Sequence, residues 1–291
     1  MATTNFHLKK STPFPWRTRL LHATIITLLV LGVIFMFIPL VWVILSSLKM
    51  ESEFLAYPVK ILPKVWQWVN YVKAFTVAPF TRYFMNSVFL ATLSSTLVVA
   101  SSSTIAYAFA RLNAPGKKFL FSINIVLLML PWAVMGIPQY IIYTKLGLTN
   151  SYWPWIIGGL TGSAWHIFLF RQFFMNFPTE IEEAAELDGC SRFQIFLKIV
   201  LPNSLPVVVT SFIFNFSWVW GDWVSPLLYL GEKQMPLAVA LAGQFYVDPQ
   251  TNRIITLTMA AVVMYMLPLV VMFFALQRYI LEGVVTSGLK G

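Results

Sequence analysis

Residues 20–48 read LLHATIITLLVLGVIFMFIPLVWVILSSL, a nearly unbroken apolar run. A helix needs about 20 such residues to cross a hydrocarbon core of about 30 Å. The run is too long for the h-region of a cleaved signal peptide, which spans about 7–15 residues. No small-x-small cleavage pattern leads into a soluble domain, so the run predicts a retained membrane helix. Five further apolar segments follow at about 83–110, 119–143, 153–170, 207–230 and 254–276. They are long and continuous rather than alternating, which favours helices over barrel strands. The expected fold is therefore all-α, a polytopic membrane protein with six transmembrane helices, and residues 1–291 form a single membrane domain.

Composition agrees. Of 291 residues, 58% are apolar and 11% charged, with a mean hydropathy of +0.74. A soluble chain is roughly 45–50% apolar and about 25% charged, so this one lacks the charge to cover a soluble surface. The 25 Phe, 11 Trp and 11 Tyr exclude disorder. Cys190, the single cysteine, excludes a disulfide scaffold. The net charge of +9 could suggest nucleic acid, but no Lys/Arg run exceeds two residues. A nucleic-acid patch needs clustered basic charge, and basic residues flanking apolar spans read as topology instead.

Those flanks set the orientation. The tail with Lys9, Lys10, Arg17 and Arg19 carries no acid, and neither does the short loop with Arg111, Lys117 and Lys118. Both are expected in the cytoplasm, together with loop 171–206 and the C-terminus. Segments 49–82, 144–152 and 231–253 then face outside. Segment 49–82 carries five basic residues, against the trend, but long loops translocate largely regardless of charge. Pro39, Pro131, Gly136, Pro138, Gly158, Gly159 and Gly162 interrupt several spans. They fit either kinked, closely packed helices or a bundle that rearranges around a pathway. No 20–50-residue period appears, which excludes solenoids.

Loop 171–206 reads RQFFMNFPTEIEEAAELDGCSRFQIFLKIVLPNSLP. Thr179 and Glu182 have capping-box spacing after Pro178, predicting a helix over about 180–188. Gly189 is placed to stop it in the left-handed conformation. Ser191 and Gln194 repeat the capping pattern, predicting a second helix over about 192–200 that ends before Pro202. Phe193, Phe196, Leu197 and Val200 would form its apolar face. A bare connector needs only a few residues, so a structured 36-residue loop points to a docking surface for another protein.

Glu183-Ala184-Ala185, three residues, Gly189, nine residues, then Ile199, Leu201 and Pro202 reproduce the motif E-A-A-x3-G-x9-I-x-L-P at every defined position. On that motif the chain resembles the permease subunits of ABC importers. The tail from Gln277 to Gly291, with Leu237-Ala238-Val239 and Asp248-Pro249-Gln250, is similar to carbohydrate permeases of the maltose-transporter G type. The resemblance implies a multi-pass protein of a bacterial or archaeal inner membrane. Its partners would be a second, different permease subunit, two ATPase subunits and an external solute-binding protein that delivers carbohydrate. It further implies no cofactor on this chain, with ATP and Mg on the ATPases. Glu183, Ala184, Ala185, Gly189, Ile199, Leu201 and Pro202 would form the ATPase-coupling element.

The remaining candidates are fewer. No G-x-x-x-x-G-K-[ST] phosphate loop is present, so ATP hydrolysis is not expected on this chain. His7, His22 and His166 are isolated from one another and from Cys190, so no metal site is expected. His166 lies well inside a span, where a polar group is either a pathway residue or a helix–helix hydrogen-bond partner. Asn215, Trp218, Asp222 and Ser225 would share one face of an unbroken fifth helix. Trp stacks on an apolar sugar face while Asn and Asp bond hydroxyls, which suggests a substrate pathway. Helix packing with an interfacial tryptophan belt, including Trp220 and Trp223, is the equal alternative. An ion-coupled secondary transporter would need intramembrane carboxylates or broken helices arranged in repeated halves; only Asp222 is a candidate, and no matching half is present.

Overall fold

The computed structural model describes residues 16–243 and 254–288. In chain order its helices are α1 (Trp16–Ser47), α2 (Glu51–Phe54), α3 (Val69–Val77), α4 (Phe80–Arg111), α5 (Lys117–Met129), α6 (Trp132–Lys145), α7 (Trp153–Thr161) and α8 (Ala164–Met175). There follow α9 (Thr179–Leu187), α10 (Arg192–Ile195), α11 (Leu201–Asn203), α12 (Leu205–Gly221), α13 (Val224–Tyr229), α14 (Leu237–Ala242) and α15 (Ile255–Gly288). No strand occurs among the described residues. The Asp248-Pro249-Gln250 stretch, Lys9 and Lys10 lie outside them.

Among the described residues three helices are long and apolar enough to cross a bilayer alone: Leu20–Ser47, Phe80–Arg111 and Ile255–Ile280. The first is apolar all round and exposed along most of its length, as a lipid-facing helix must be. The expected third, fourth and fifth spans are not continuous. The third bends by 105° between Met129 and Val134, around Pro131. Proline lacks an N–H and disfavours helix in the residue before it. The fourth splits into α7 and α8 at Gly162, which has φ +76°. The fifth stops at Gly221, and α13 starts afresh at Val224.

α4 is the hub, and serines make it one. Ser87, Ser94 and Ser101 recur every seven residues, as do Ser95 and Ser102. Ser101 donates to the Gly159 carbonyl at 2.6 Å, and Ser102 accepts from the Ser163 N–H at 3.0 Å. The backbone groups freed by the break in the fourth span are thus satisfied by a neighbouring helix, as the membrane interior requires. Asn215 of α12 donates to Ser95 at 3.1 Å, and Ser87 accepts from the Leu237 N–H at 2.8 Å. Small residues also let backbones approach closely: a Cβ on Gly159 would fall 2.6 Å from the Leu97 Cβ.

At the end of the bundle near α2, polar contacts fix the chain. Glu51 accepts from the backbone N–H groups of Ile255 and Thr256, both at 2.9 Å, and so caps the start of α15. Lys49 is buried, donates to the Lys60 carbonyl at 2.6 Å and sits over the Trp42 ring. Burial pulls its ammonium below the usual lysine range, with Glu53 pulling the other way.

Candidate functional site

Two regions gather the residues singled out above. The first is the hairpin 179–203. α9 ends in a Schellman motif: the Gly189 N–H donates to Glu186 O at 3.0 Å, and the Cys190 N–H to Ala185 O at 3.0 Å. Gly189 stands at φ +85°, a conformation that glycine adopts without steric cost. Ser191 and Gln194 form a full capping box, with bonds of 3.3 and 2.9 Å. An Arg192–Glu186 ion pair of 2.5 Å joins the two arms on their half-exposed side.

Three expectations for this hairpin need correction. Thr179 and Glu182 form no capping box. α9 starts after Pro178 without a side-chain cap, and Glu182 turns inward. Its Oε1 lies 2.7 Å from Arg111 Nε, and its Oε2 accepts from Tyr107 Oη at 2.9 Å. Second, the helical path does not stop before Pro202. A wide π turn over Phe196–Val200, in which the Leu201 N–H donates to Phe196 O, carries it through the proline to Asn203. Third, the buried face is rotated. Ile195, Phe196 and Val200 are buried with Ala185, Tyr107, Phe170 and Phe174, whereas Phe193 and Leu197 are exposed. The competing surface is the foot of α4 and α8, which a helical period alone does not reveal.

The motif residues therefore divide. Glu183, Ala184, Gly189 and Pro202 face outward, Ala185 is buried inside the chain, and Ile199 and Leu201 are half-buried. Leu187, 90% exposed, and Phe193, 64% exposed, add a large apolar contribution to the outer side.

The second region is a pair of cavities along α12. One, of about 420 Å³, is lined by Ser163, Trp165, His166, Phe214, Asn215 and Trp218. The other, of about 470 Å³, is lined by Ser217, Trp218, Gly221, Asp222, Trp223, Val224 and Ser225. Trp218, 74% exposed, borders both. His166, Asn215 and Trp218 thus come together, while Asp222 belongs to the neighbouring cavity. The shared helix face ends at Gly221, because Asp222 leaves the helix and accepts from the N–H groups of Val224 and Ser225 at 3.0 and 3.1 Å. It caps α13, a role an i+7 count cannot anticipate. Asn215 spends its amide on the serines of α4. His166 is buried beside the Ser211 backbone, with neither ring nitrogen in a well-aligned hydrogen bond. Trp220 is not in an interfacial belt. It is buried, stacks on Phe216 and Tyr265 at 5.5 and 5.4 Å, and donates to Tyr265 O.

Tyr107 and the serines of α4 were not singled out from sequence, and Arg111 was read only as a mark of topology. The seven-residue serine spacing was a readable sign of close helix packing. The Glu182 contact, from 75 residues away, left none.

A helical bundle of broken, polar-stitched spans, with a structured hairpin outside it, is the architecture of a membrane transport subunit. Comparison with known proteins gives the family. Residues 102–285 match the binding-protein-dependent transport system inner membrane component, and the chain belongs to that family. It is 33% identical over 258 residues to a probable ABC transporter permease protein of Pyrococcus horikoshii, covering 85% of this chain and 90% of that one. It is 30% identical over 257 residues to the arabinooligosaccharides transport system permease protein of Halalkalibacterium halodurans, covering 87% and 91%. In fold it is similar to a crystal structure of a bacterial ABC transporter involved in the import of the acidic polysaccharide alginate. The TM-score is 0.81 at 22% identity, over 92% of this chain and 100% of that one. The chain is thus a multi-pass permease subunit of an ABC importer and not itself an enzyme. Family membership sets aside the ion-coupled alternative.

Proposed function

We propose that the chain is one of two different permease subunits of a carbohydrate importer. It would cross the membrane six times with both termini in the cytoplasm, counting each broken segment as one span. Two ATPase subunits carrying ATP and Mg would dock on hairpin 179–203. An external solute-binding protein would deliver substrate to the cavities along α12.

One observation carries the coupling role: the motif-bearing hairpin is rigid and anchored on one side yet bare on the other. Its underside is fixed in an apolar cluster, while Glu183, Ala184, Leu187 and Phe193 stand outward with no partner in the described chain. A docked ATPase that favours one hairpin position can shift the bundle by its differential affinity for the two states. The carbohydrate class rests on permeases such as the arabinooligosaccharide one and on Trp218, Asn215 and His166 around one cavity. Trp218 supplies an apolar face for a ring, and His166, whose ring nitrogens are in no well-aligned hydrogen bond, supplies a hydroxyl partner, while Asn215 is held by Ser94 and Ser95. The test is reconstitution of the complete complex with its binding protein, followed by uptake of a panel of labelled sugars. Uptake that requires ATP and ignores ion gradients is expected. Uptake driven by an ion gradient without ATP would overturn the reading.

A further inference from the structure

Tyr107 and Arg111 lie one turn apart at the end of α4, and Glu182 lies in the first turn of α9. Their side chains close a buried cluster. Glu182 Oε1 is 2.7 Å from Arg111 Nε, with side-chain exposures of 4% and 12%. Tyr107 Oη donates to Glu182 Oε2 at 2.9 Å. Arg111 also donates to the Phe177 carbonyl, in the short link between α8 and α9. Around the cluster Tyr107 packs on Phe174 and Phe196, Ala185, Ile195 and Val200 fill the apolar remainder, and the Arg192 guanidinium of the second arm approaches the Tyr107 hydroxyl.

The apolar contacts seat the underside of the hairpin but are non-directional. A buried ion pair is different, because parting it leaves an uncompensated charge. It therefore fixes the position of α9 on α4. α4 is also the helix whose serines hold α7, α12 and the Leu237 backbone. We infer that Glu182, Arg111 and Tyr107 form the joint through which a displacement of the hairpin moves α4, and with it the walls of the α12 cavities. These are positioning residues. The inference rests on the coupling role proposed for the hairpin.

The test uses the complete reconstituted importer, with Cys190→Ser and a reporter Ser225→Cys in the outer cavity. The rate of modification by an impermeant maleimide is measured with and without a non-hydrolysable ATP analogue. In the joint-intact protein the nucleotide should change that rate at least threefold. No change there would overturn the coupling reading itself, and the joint with it. Given that response, Glu182→Gln should reduce it to less than 1.5-fold while the ATPase still co-purifies. Exchanging the charges, Glu182→Arg with Arg111→Glu, should restore at least half of it. A full response in Glu182→Gln, or an exchange no better than the single change, would overturn the joint and leave the coupling reading intact. Where Glu182→Gln fails to assemble, Tyr107→Phe decides. It removes one hydroxyl and keeps the ring packing, and the joint requires a weakened response, at most half the intact one.

Discussion

Gly162 and Gly189 both interrupt helices at positive φ, +76° and +85°, and Gly162, with ψ +163°, lies in an extended region essentially reserved for glycine. They are held in opposite ways. The turn at Gly189 is closed by its own neighbourhood: every bond that fixes it lies between Ala185 and Gln194. The break at Gly162 is closed from far along the chain, by Ser101 and Ser102 of α4. A Cβ at Gly189 would meet nothing within 4 Å, whereas one at Gly162 would lie 3.1 Å from Ile105 Cδ1 and 3.3 Å from Ser102 Oγ. The hairpin is thus a self-contained piece of backbone with a free surface. The membrane break is a shared piece that other helices complete.

The same substitution at the two sites is the strongest test of that contrast. Left-handed placement of a non-glycine residue costs about 1–2 kcal/mol, which is all that Gly189→Ala should incur. Gly162→Ala instead forces a non-glycine residue into an extended positive-φ region essentially closed to it, adds overpacking of about 1–3 kcal/mol and disturbs the serine bonds. We expect a severe loss of folded protein from detergent-solubilised membranes for Gly162→Ala and near-normal recovery for Gly189→Ala. Equal recovery would erase the distinction between the two breaks.

The second largest effect is on coupling rather than folding. Gly189→Val puts a β-branched residue where it is a conformational outlier, so α9 should tilt and present Glu183, Ala184 and Leu187 wrongly. Membrane levels should hold, while sugar uptake falls at least tenfold and ATPase co-purification weakens. Gly189→Asn, which tolerates the left-handed region, should stay within about threefold of wild type. Wild-type uptake in Gly189→Val with the ATPase bound would show that the hairpin angle does not matter.

This contrast also explains what the sequence revealed. The Schellman turn, the Ser191 capping box and the motif spacing are local patterns, and they read directly from the residues between 183 and 202. The break at Gly162 depends on partners elsewhere, so periodicity ran straight through it; the break at Asp222 is local, a carboxylate that caps the next helix, and the apolar run around it hid that signal. Glu182 is the clearest case. Its spacing from Thr179 matched a capping box, yet a buried arginine and tyrosine on α4 outcompeted the helix start for its carboxylate. His166, Asn215 and Trp218 do meet at one cavity. The reason Asn215 sits there, its bonds to Ser94 and Ser95, was invisible without the fold.

A smaller effect is expected on the membrane side. Trp218 borders both cavities, and its ring is mostly free of the chain's own packing. Trp218→Ala should therefore leave assembly and basal ATP hydrolysis near normal. Aromatic pairs contribute about 0.5–1.5 kcal/mol beyond area burial. A ring-stacking sugar contact of that size predicts roughly a three- to tenfold loss of uptake at limiting substrate. Unchanged uptake would mean that the tryptophan faces lipid or the second permease rather than the pathway.

The smallest effect sharpens the account of the hairpin itself. Ser191→Ala removes one half of the capping box, and a lost cap costs about 1 kcal/mol. The second arm has another hold, because Ile195, Phe196 and Val200 are buried in the cluster beneath it. Burying such side chains is worth about 1.5–3 kcal/mol each, so the arm should stay seated when its cap is lost. Uptake should then remain within about twofold of wild type, while amide exchange at Gln194 quickens roughly fivefold, as about 1 kcal/mol requires. Gly189→Val differs because it redirects the backbone between two seated arms rather than loosening one end. A Ser191→Ala protein as inactive as Gly189→Val would show that the caps, and not the buried face, hold the hairpin on α4.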